Sequence, residues 1–243
     1  MKTDVKRILV TGANRGLGLA LTEQLLSEGH VVFAAARKPE SFVALQAKYP
    51  ETLLPVELDM ERPDSFEACF QKVQASGAAL DVLVNNAGVH LDGGNWQKNT
   101  TLEVSMTTLR QTFEVNFFGL VDFTRRMLPL LNGSSDPRIV LVSSIMGSLT
   151  MHASEQGLGD IKPFAYDASK TAVNAFLVHL AHALKEGPIR VFAAHPGWVA
   201  TDMGTERAPL SPQEGIATLY KLVVAEELPP HGAFVHLDKE LPW

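Results

Sequence analysis

The chain has 243 residues, 46% of them apolar, and a formal net charge of -6. That length holds one large domain or two small ones, with apolar residues enough for a buried core, and the acidic balance without a dense Lys/Arg cluster argues against nucleic acid or an anionic membrane surface as a partner. The single cysteine, Cys69, rules out an intrachain disulfide and supplies no metal-ligand cluster, and it is expected half-buried on a helix. Nothing approaches the ~18 uninterrupted apolar residues of a membrane span, and Met1 to Asp4 lead into a short apolar strand rather than a signal-peptide core, so a cytoplasmic protein is expected.

Arg7 to Thr11 is a β-rich apolar run that breaks into Gly12-Ala13-Asn14-Arg15-Gly16-Leu17-Gly18, after which Leu17, Ala20, Leu21, Leu25 and Leu26 repeat with helical spacing. Strand, glycine turn and helix in that order let backbone N–H groups at a helix N-terminus approach a pyrophosphate. The spacing Gly12-x-x-x-Gly16-x-Gly18 departs from the usual dinucleotide fingerprint. His30 to Ala36 is a second buried strand followed at once by Arg37-Lys38. An NAD site commonly carries an acid at this strand end. Here Arg37, joined by Arg15 and Lys38, suits a ribose 2′-phosphate instead, so NADP(H) is expected over NAD(H); the competing reading is a pair of solvated surface charges.

Ser41 to Lys48 reads as a helix and Leu53 to Leu58 as a third strand, with Asp59-Met60 at its end, where an adenine would lie. Pro63 to Ala75 is a helix, and Asp81 to Val84 a fourth strand running into Asn85-Asn86-Ala87-Gly88, a turn suited to close backbone approach. Asp92 to Thr100 is a polar, glycine-rich loop whose Trp96 is either a cover over the substrate site or a surface aromatic. Met106 to Leu131 reads as one long helix with Asn116 at its middle, where a buried amide needs a hydrogen-bonding reason. Ordering water behind Lys170 would supply it.

Arg138 to Ser144 is a fifth strand. Ser144 lies 22 residues before Tyr166, and both can border one crevice outside the carboxyl ends of the strands. Pro163 to Leu184 is a helix on which Tyr166 and Lys170, four apart, share a face. A phenol ionises near pH 10, and an ammonium within reach is expected to lower that value by about 1–3 units. The competing reading is a chance pair with the lysine solvated. Ile189 to Ala194 is a sixth strand ending in His195-Pro196-Gly197, where His195 is read as holding a loop. Ser211 to Ala225 is a helix with Ser211 as cap and Pro212 in its first turn, and Gly232 to Leu237 a seventh strand. No repeat or linker marks a second domain, so residues 1–243 are expected to form one.

Taken together, Thr11-Gly12-x-x-x-Gly16-x-Gly18, Asn85-Asn86-Ala87-Gly88, Asn116, Ser144, Tyr166-x-x-x-Lys170 and Pro196-Gly197 resemble the classical short-chain dehydrogenase/reductase family from about residue 6 onward. The resemblance implies an α/β fold: a single Rossmann-type doubly wound domain, with a seven-stranded parallel sheet and helices on both faces. It also implies a carbonyl–alcohol oxidoreductase acting on a small molecule. Tyr166 would be general acid or base, Ser144 would hold the substrate oxygen, Lys170 would bind nicotinamide ribose and lower the tyrosine pKa, and Asn116 would sustain a water relay. Cofactor contacts are implied at Gly12, Asn14, Arg15, Gly16, Leu17, Gly18, Arg37, Asp59, Met60, Asn86, Ala87, Gly88, Tyr166 and Lys170. Pro196, Gly197, Val199 and Thr201 would position the carboxamide.

Met151 to Phe164 forms an insertion before the tyrosine, similar to the small carbonyl-reductase-like branch that includes C-factor-like signalling proteins. Only Asp202 to Leu210 follows the Pro-Gly stretch before the next helix, which predicts an open site tolerant of bulky ketones and aldehydes. Helices 106–131 and 164–185 would pair in a homodimer or homotetramer, with the inserted segment an obstacle to that pairing. The alternative function is a non-catalytic NADP(H)-binding regulatory or signalling protein on the same fold.

Overall fold

The structure, a computed structural model, describes residues 5–93, 98–154 and 157–243. Its centre is one sheet built from β1 (Arg7–Thr11), β2 (Val31–Ala36), β3 (Leu53–Glu57), β4 (Val82–Asn85), β5 (Arg138–Val142), β6 (Arg190–Ala194), β7 (Phe234–His236) and β8 (Lys239–Glu240). The order across the sheet is β3-β2-β1-β4-β5-β6-β7-β8, so the winding reverses between β1 and β4. In open α/β sheets a crevice forms outside the carboxyl ends of the strands at such a reversal.

The strands are apolar without alternation because both faces are covered. Period-two geometry sends Ile8, Val10, Val32, Val84 and Phe192 to one core, and Leu9, Phe33, Leu83, Ile139 and Val191 to the other. The first core is closed by α1 (Gly16–Ser27) and α9 (Ala217–Val224); the second by α3 (Pro63–Gln74), α5 (Gly119–Leu131) and α7 (Phe164–Leu184). Each fully buried Phe or Leu side chain contributes roughly 1.5–3 kcal/mol.

Four expectations are corrected here. The sheet has eight strands among the described residues, not seven parallel ones: Leu237, at φ 53°, turns the chain so that β8 runs antiparallel to β7. Two exposed residues, Lys239 and Glu240, carry no apolar pattern that would announce a strand. The long helix from Met106 is α4 (Met106–Phe113), then a π-turn over Glu114–Phe118, then α5. A side chain at Gly119 would run into the Met60 carbonyl, so only glycine lets α5 start this close to the end of β3. Ser211 to Ala225 divides into α8 (Pro212–Gly215) and α9, with Ser211 and Glu214 forming a reciprocal capping box. Cys69 is fully buried in α3, and burial pushes its thiol up to about 12.

The amino ends of the strands are fastened by charge. Asp136, just before β5, receives Lys6 Nζ at 3.1 Å, Arg190 Nη2 at 2.6 Å and the Arg138 guanidinium, which together hold its carboxyl well below the usual range despite burial. Arg138 is itself buried and donates through Nη1 to the Leu222 and Val223 carbonyls at 3.0 and 3.1 Å, tying β5 to the end of α9. No helix among the described residues is long and apolar enough to cross a membrane.

Candidate active site

The glycine turn follows β1 at the reversal of strand order. Gly12 and Gly16 hold positive φ, +63° and +53°, and a Cβ on Gly18 would overlap the Gly12 carbonyl. Thr11 and Asn86 lock this turn to the end of β4. The Asn86 and Ala87 amides donate to Thr11 Oγ1 at 3.0 and 2.9 Å, and Asn86 Nδ2 donates to the Thr11 carbonyl at 2.8 Å. Asn86 therefore shapes the turn, its side-chain nitrogen bonded to the Thr11 and Gly12 carbonyls. At the start of α1 no side chain caps the helix and no acid sits in the first turn, which leaves amides and dipole directed at the crevice.

Asn14, Arg15 and Arg37 are exposed around this mouth, and Leu17 is half-buried within it. Arg15 Nη1 lies 2.9 Å from Asp202 Oδ2, on the segment after β6. Asp59 and Met60 stand at the end of β3, where Ser65 Oγ accepts from the Asp59 amide at 3.0 Å and Met60 is buried. Opposite, Gly197 turns at φ +88°, Val199 is buried, and the Thr201 methyl packs 3.3 Å from where a Gly16 Cβ would stand. Thr201 thus brings the Pro196–Thr201 segment against the glycine turn.

On α7 the helix brings Tyr166 and Lys170 to this same edge. Lys170 is buried and its Nζ donates to the Val142 carbonyl at 2.8 Å while lying 5.7 Å from the Tyr166 ring centroid. Ser144, two residues past the end of β5, stands beside the Tyr166 phenol, near enough to influence its ionisation. A Cβ on Gly88 would sit 3.3 Å from Asn116 Oδ1 and 3.6 Å from Lys170 Nζ, so the turn after β4 touches both side chains. A Cβ on Gly147 would come within 2.6 Å of the Lys170 carbonyl carbon, and this close approach seats Ser144 against α7.

Residues 6–210 match the family described as short chain dehydrogenase. The chain is 34% identical to short-chain dehydrogenase anuI of Penicillium roqueforti, across 86% of this chain and 84% of that protein, and 31% identical to carbonyl reductase [NADPH] 1 of Mus musculus, across 97% of each. The solved NADPH-bound carbonyl reductase from chicken fatty liver superposes with a TM-score of 0.85 at 27% identity, covering 98% of this chain and 99% of that one. The chain belongs to the short-chain dehydrogenase family.

Within this dehydrogenase frame two expectations about the site change. Burial dominates the Tyr166 phenol and pushes it up to about 12; Ser144 pulls it down, and the neighbouring Asp167 carboxylate pushes it up further. The net lowering expected from Lys170 is not what the fold delivers, because burial of the phenol outweighs it; the same burial brings the ammonium down to about 8, with its Nζ bonded to a carbonyl. Asn116 departs as well. Its Nδ2 donates to the Val89 carbonyl at 2.8 Å and to Ser169 Oγ at 3.0 Å, and its Oδ1 accepts from the Val89 amide at 2.8 Å. Both amide hydrogens are committed to protein, so this side chain clamps the chain after Gly88 to α7 instead of presenting a donor to water.

His195 is half-buried at the end of β6; burial and the nearby His236 bring its imidazole down to about 3, and its backbone carbonyl, not its ring, is bonded to His236 Nδ1 at 2.8 Å. Trp96 lies outside the described residues. The insertion opens with the short helix α6 (Leu149–Ala153), and residues 155 and 156 likewise fall outside the description. The segment Asp202 to Leu210 stays short, bridged back where Leu210 pairs with Val199.

Sequence reasoning assigned no role to Thr11, Ser169, Asn174 or Asp92. Asn174 Oδ1 accepts from Ser143 Oγ at 2.6 Å, which anchors the strand end that carries Ser144. A hydroxyl closing β1 is the one local signal for Thr11. Ser169 and Asn174 follow from helical spacing relative to Tyr166 and Lys170, but only their partners reveal what they do.

Proposed function

We propose that this dehydrogenase is an NADP(H)-dependent oxidoreductase that interconverts a ketone or aldehyde and its alcohol, and that residues 1–243 form one NADP(H)-binding domain in the cytoplasm. The observation that carries the reading is Ser144 beside the Tyr166 phenol with a buried Lys170 behind them, set near the glycine turn at the reversal of the sheet. The residues fit a dinucleotide with a 2′-phosphate: a glycine cradle that a Cβ would fill, an uncapped helix start, and Arg15 and Arg37 exposed at the mouth with no acid at the end of β2. Arg15, Arg37, the α1 amides, Asp59, Met60, Asn86, Ala87, Gly88 and the Pro196–Thr201 segment would hold it. The similar carbonyl reductase of Mus musculus is named for NADPH, and that of chicken fatty liver was solved with NADPH bound, which supports this reading. Bound there, the cofactor supplies the hydride.

The chain's own residues do the rest. Tyr166, protonated at neutral pH, donates a proton to the carbonyl oxygen as negative charge builds on it, and Ser144 gives that oxygen a second hydrogen bond. Lys170, charged at neutral pH and shielded from water, favours the tyrosinate left behind. Asn116, by clamping Val89 and Ser169, keeps the turn after β4 and α7 at fixed spacing.

Tyr166→Phe tests this against the regulatory alternative. Turnover of an aryl aldehyde with NADPH should fall by about 10²–10⁴ while NADPH binding, followed by fluorescence, stays within threefold of wild type. Unchanged turnover removes Tyr166 from the mechanism, and a wild-type protein that binds NADPH yet reduces no member of a ketone and aldehyde panel supports the regulatory reading.

A further inference from the structure

The first turn of an α-helix leaves its leading N–H groups without intrahelical partners, and in α7 that turn carries Tyr166. The residue before it is Pro163, whose side chain cannot accept a hydrogen bond, and no local cap is present. The partners come instead from the loop after β4. Asp92 is buried, with Oδ1 accepting from the Ala165 amide at 3.0 Å and Oδ2 from the Tyr166 amide at 3.0 Å. The Phe164 amide donates to the Asn99 carbonyl at 3.2 Å, and Asn99 Nδ2 in turn donates to the Asp92 carbonyl. Three successive amides are thereby satisfied from outside the helix. Two residues before Asp92, the His90 ring lies 4.9 Å from the Tyr166 ring, centroid to centroid.

We infer that Asp92 is a positioning residue for the reaction: its carboxylate is a cap supplied from 73 residues away that fixes the backbone of Tyr166 and so the aim of the phenol at Ser144. Both oxygens are bonded in a dry site, and charge-assisted bonds of this kind are about twice as strong as neutral ones. The same loop end carries Gly88 and Val89, which touch Lys170 and Asn116. One loop therefore references the tyrosine, the lysine and the asparagine to β4. An ordinary cap would stabilise the helix and leave the chemistry alone; this one holds the reacting residue by its own amide.

The inference rests on the oxidoreductase reading, and the test separates the two. Asp92→Asn keeps size and one acceptor but turns a donor toward one of the two amides. Ser105→Ala removes a cap of the same kind from α4, where Ser105 Oγ accepts from the Thr108 amide at 3.0 Å, far along the chain from α7. Each is compared with wild type for kcat and KM with an aryl aldehyde and NADPH, for NADPH affinity, for Tm, and for amide exchange over residues 163–167 without added cofactor. Both variants should lose a few degrees of Tm. Asp92→Asn should lower kcat at least tenfold, leave NADPH affinity within threefold, and speed exchange at Ala165 or Tyr166 at least tenfold; Ser105→Ala should change none of these three. The inference is overturned if kcat of Asp92→Asn stays within twofold of wild type, if NADPH affinity falls in step with kcat, or if the two amides exchange freely in wild type. That last measurement also decides the matter should Asp92→Asn fail to fold. A wild type without NADPH-dependent turnover sinks the oxidoreductase reading instead, and the exchange result then stands by itself on whether the carboxylate holds the helix.

Discussion

Lys170 is a buried ammonium with one protein acceptor, and its ionisation couples stability to pH. Folding brings it from an ordinary value of 10.5 down to about 8, so between those values the unfolded chain binds more protons and stability rises with pH. A Lys170→Met variant lacks this term. The stability of wild type relative to Lys170→Met, from urea melts, should move in favour of wild type by on the order of 3 kcal/mol as pH climbs from 7.5 to 10.5. Reduction should respond in the opposite sense, with kcat falling as pH passes about 8 because the charge that favours a tyrosinate is lost. Asp167 adds a second control. It is buried beside Asp92, which with burial pushes its carboxyl up to about 8, and when ionised it holds the Tyr166 proton more tightly. Asp167→Asn should therefore shift ionisation of Tyr166 to lower pH, as read by the tyrosinate absorbance. A sequence displays the Tyr-x-x-x-Lys spacing but not this behaviour, since the direction of each shift is set by how much chain packs over the pair.

Among the elements, β5 is held from both ends. Ser143, one residue past it, is bonded to Asn174, and at its start Arg138 joins Asp136 to the carbonyls closing α9. Arg138→Met should cost about 3–5 kcal/mol, because it strands buried acceptors and withdraws a partner from Asp136; a loss under 1 kcal/mol in a denaturant melt would show the clasp to be dispensable. Gly119→Ala should be poorly tolerated for a steric reason, its methyl meeting the Met60 carbonyl, with Tm falling by several degrees or the protein recovered unfolded. Elements with a strong local pattern were legible: six strands as apolar runs, α1 after its glycines, α7 by its period. The π-turn, the division at Ile216 and β8 were not, as each follows from a contact with distant chain or from a turn at an exposed end.

Across the whole molecule the two ends of the sheet do different work. The amino ends carry ion pairs that fasten strands to one another, whereas the carboxyl ends gather the glycine turn, the Asn86 lock, Ser144 and the Pro196–Thr201 segment along one edge. Arg15 and Arg37 are exposed on that edge, and Arg37→Asp should weaken NADPH binding at least tenfold while leaving NADH within threefold, measured by titration at fixed salt. Equal losses for both cofactors would assign Arg37 to general attraction alone. This division was readable in outline, because glycines and short polar residues interrupt the apolar runs only at strand ends. Asp92 escaped that reading. Its importance depends on a helix start 73 residues later that lacks a cap of its own, and no pattern in one sequence couples the two.

The five-residue turn over Glu114–Phe118 leaves the molecule open to a particular kind of damage. It holds one residue more than a regular α-turn, taken up as a local bulge while the helices on either side keep their own faces toward the core. Deleting a residue there would let the two flanking helices merge into a smooth rod, well packed and well folded, with the Asn116 amide rotated off Val89. Such a shortened chain should melt close to the wild-type temperature and yet turn over slowly, its fault lying in phase along one axis and in no missing chemical group.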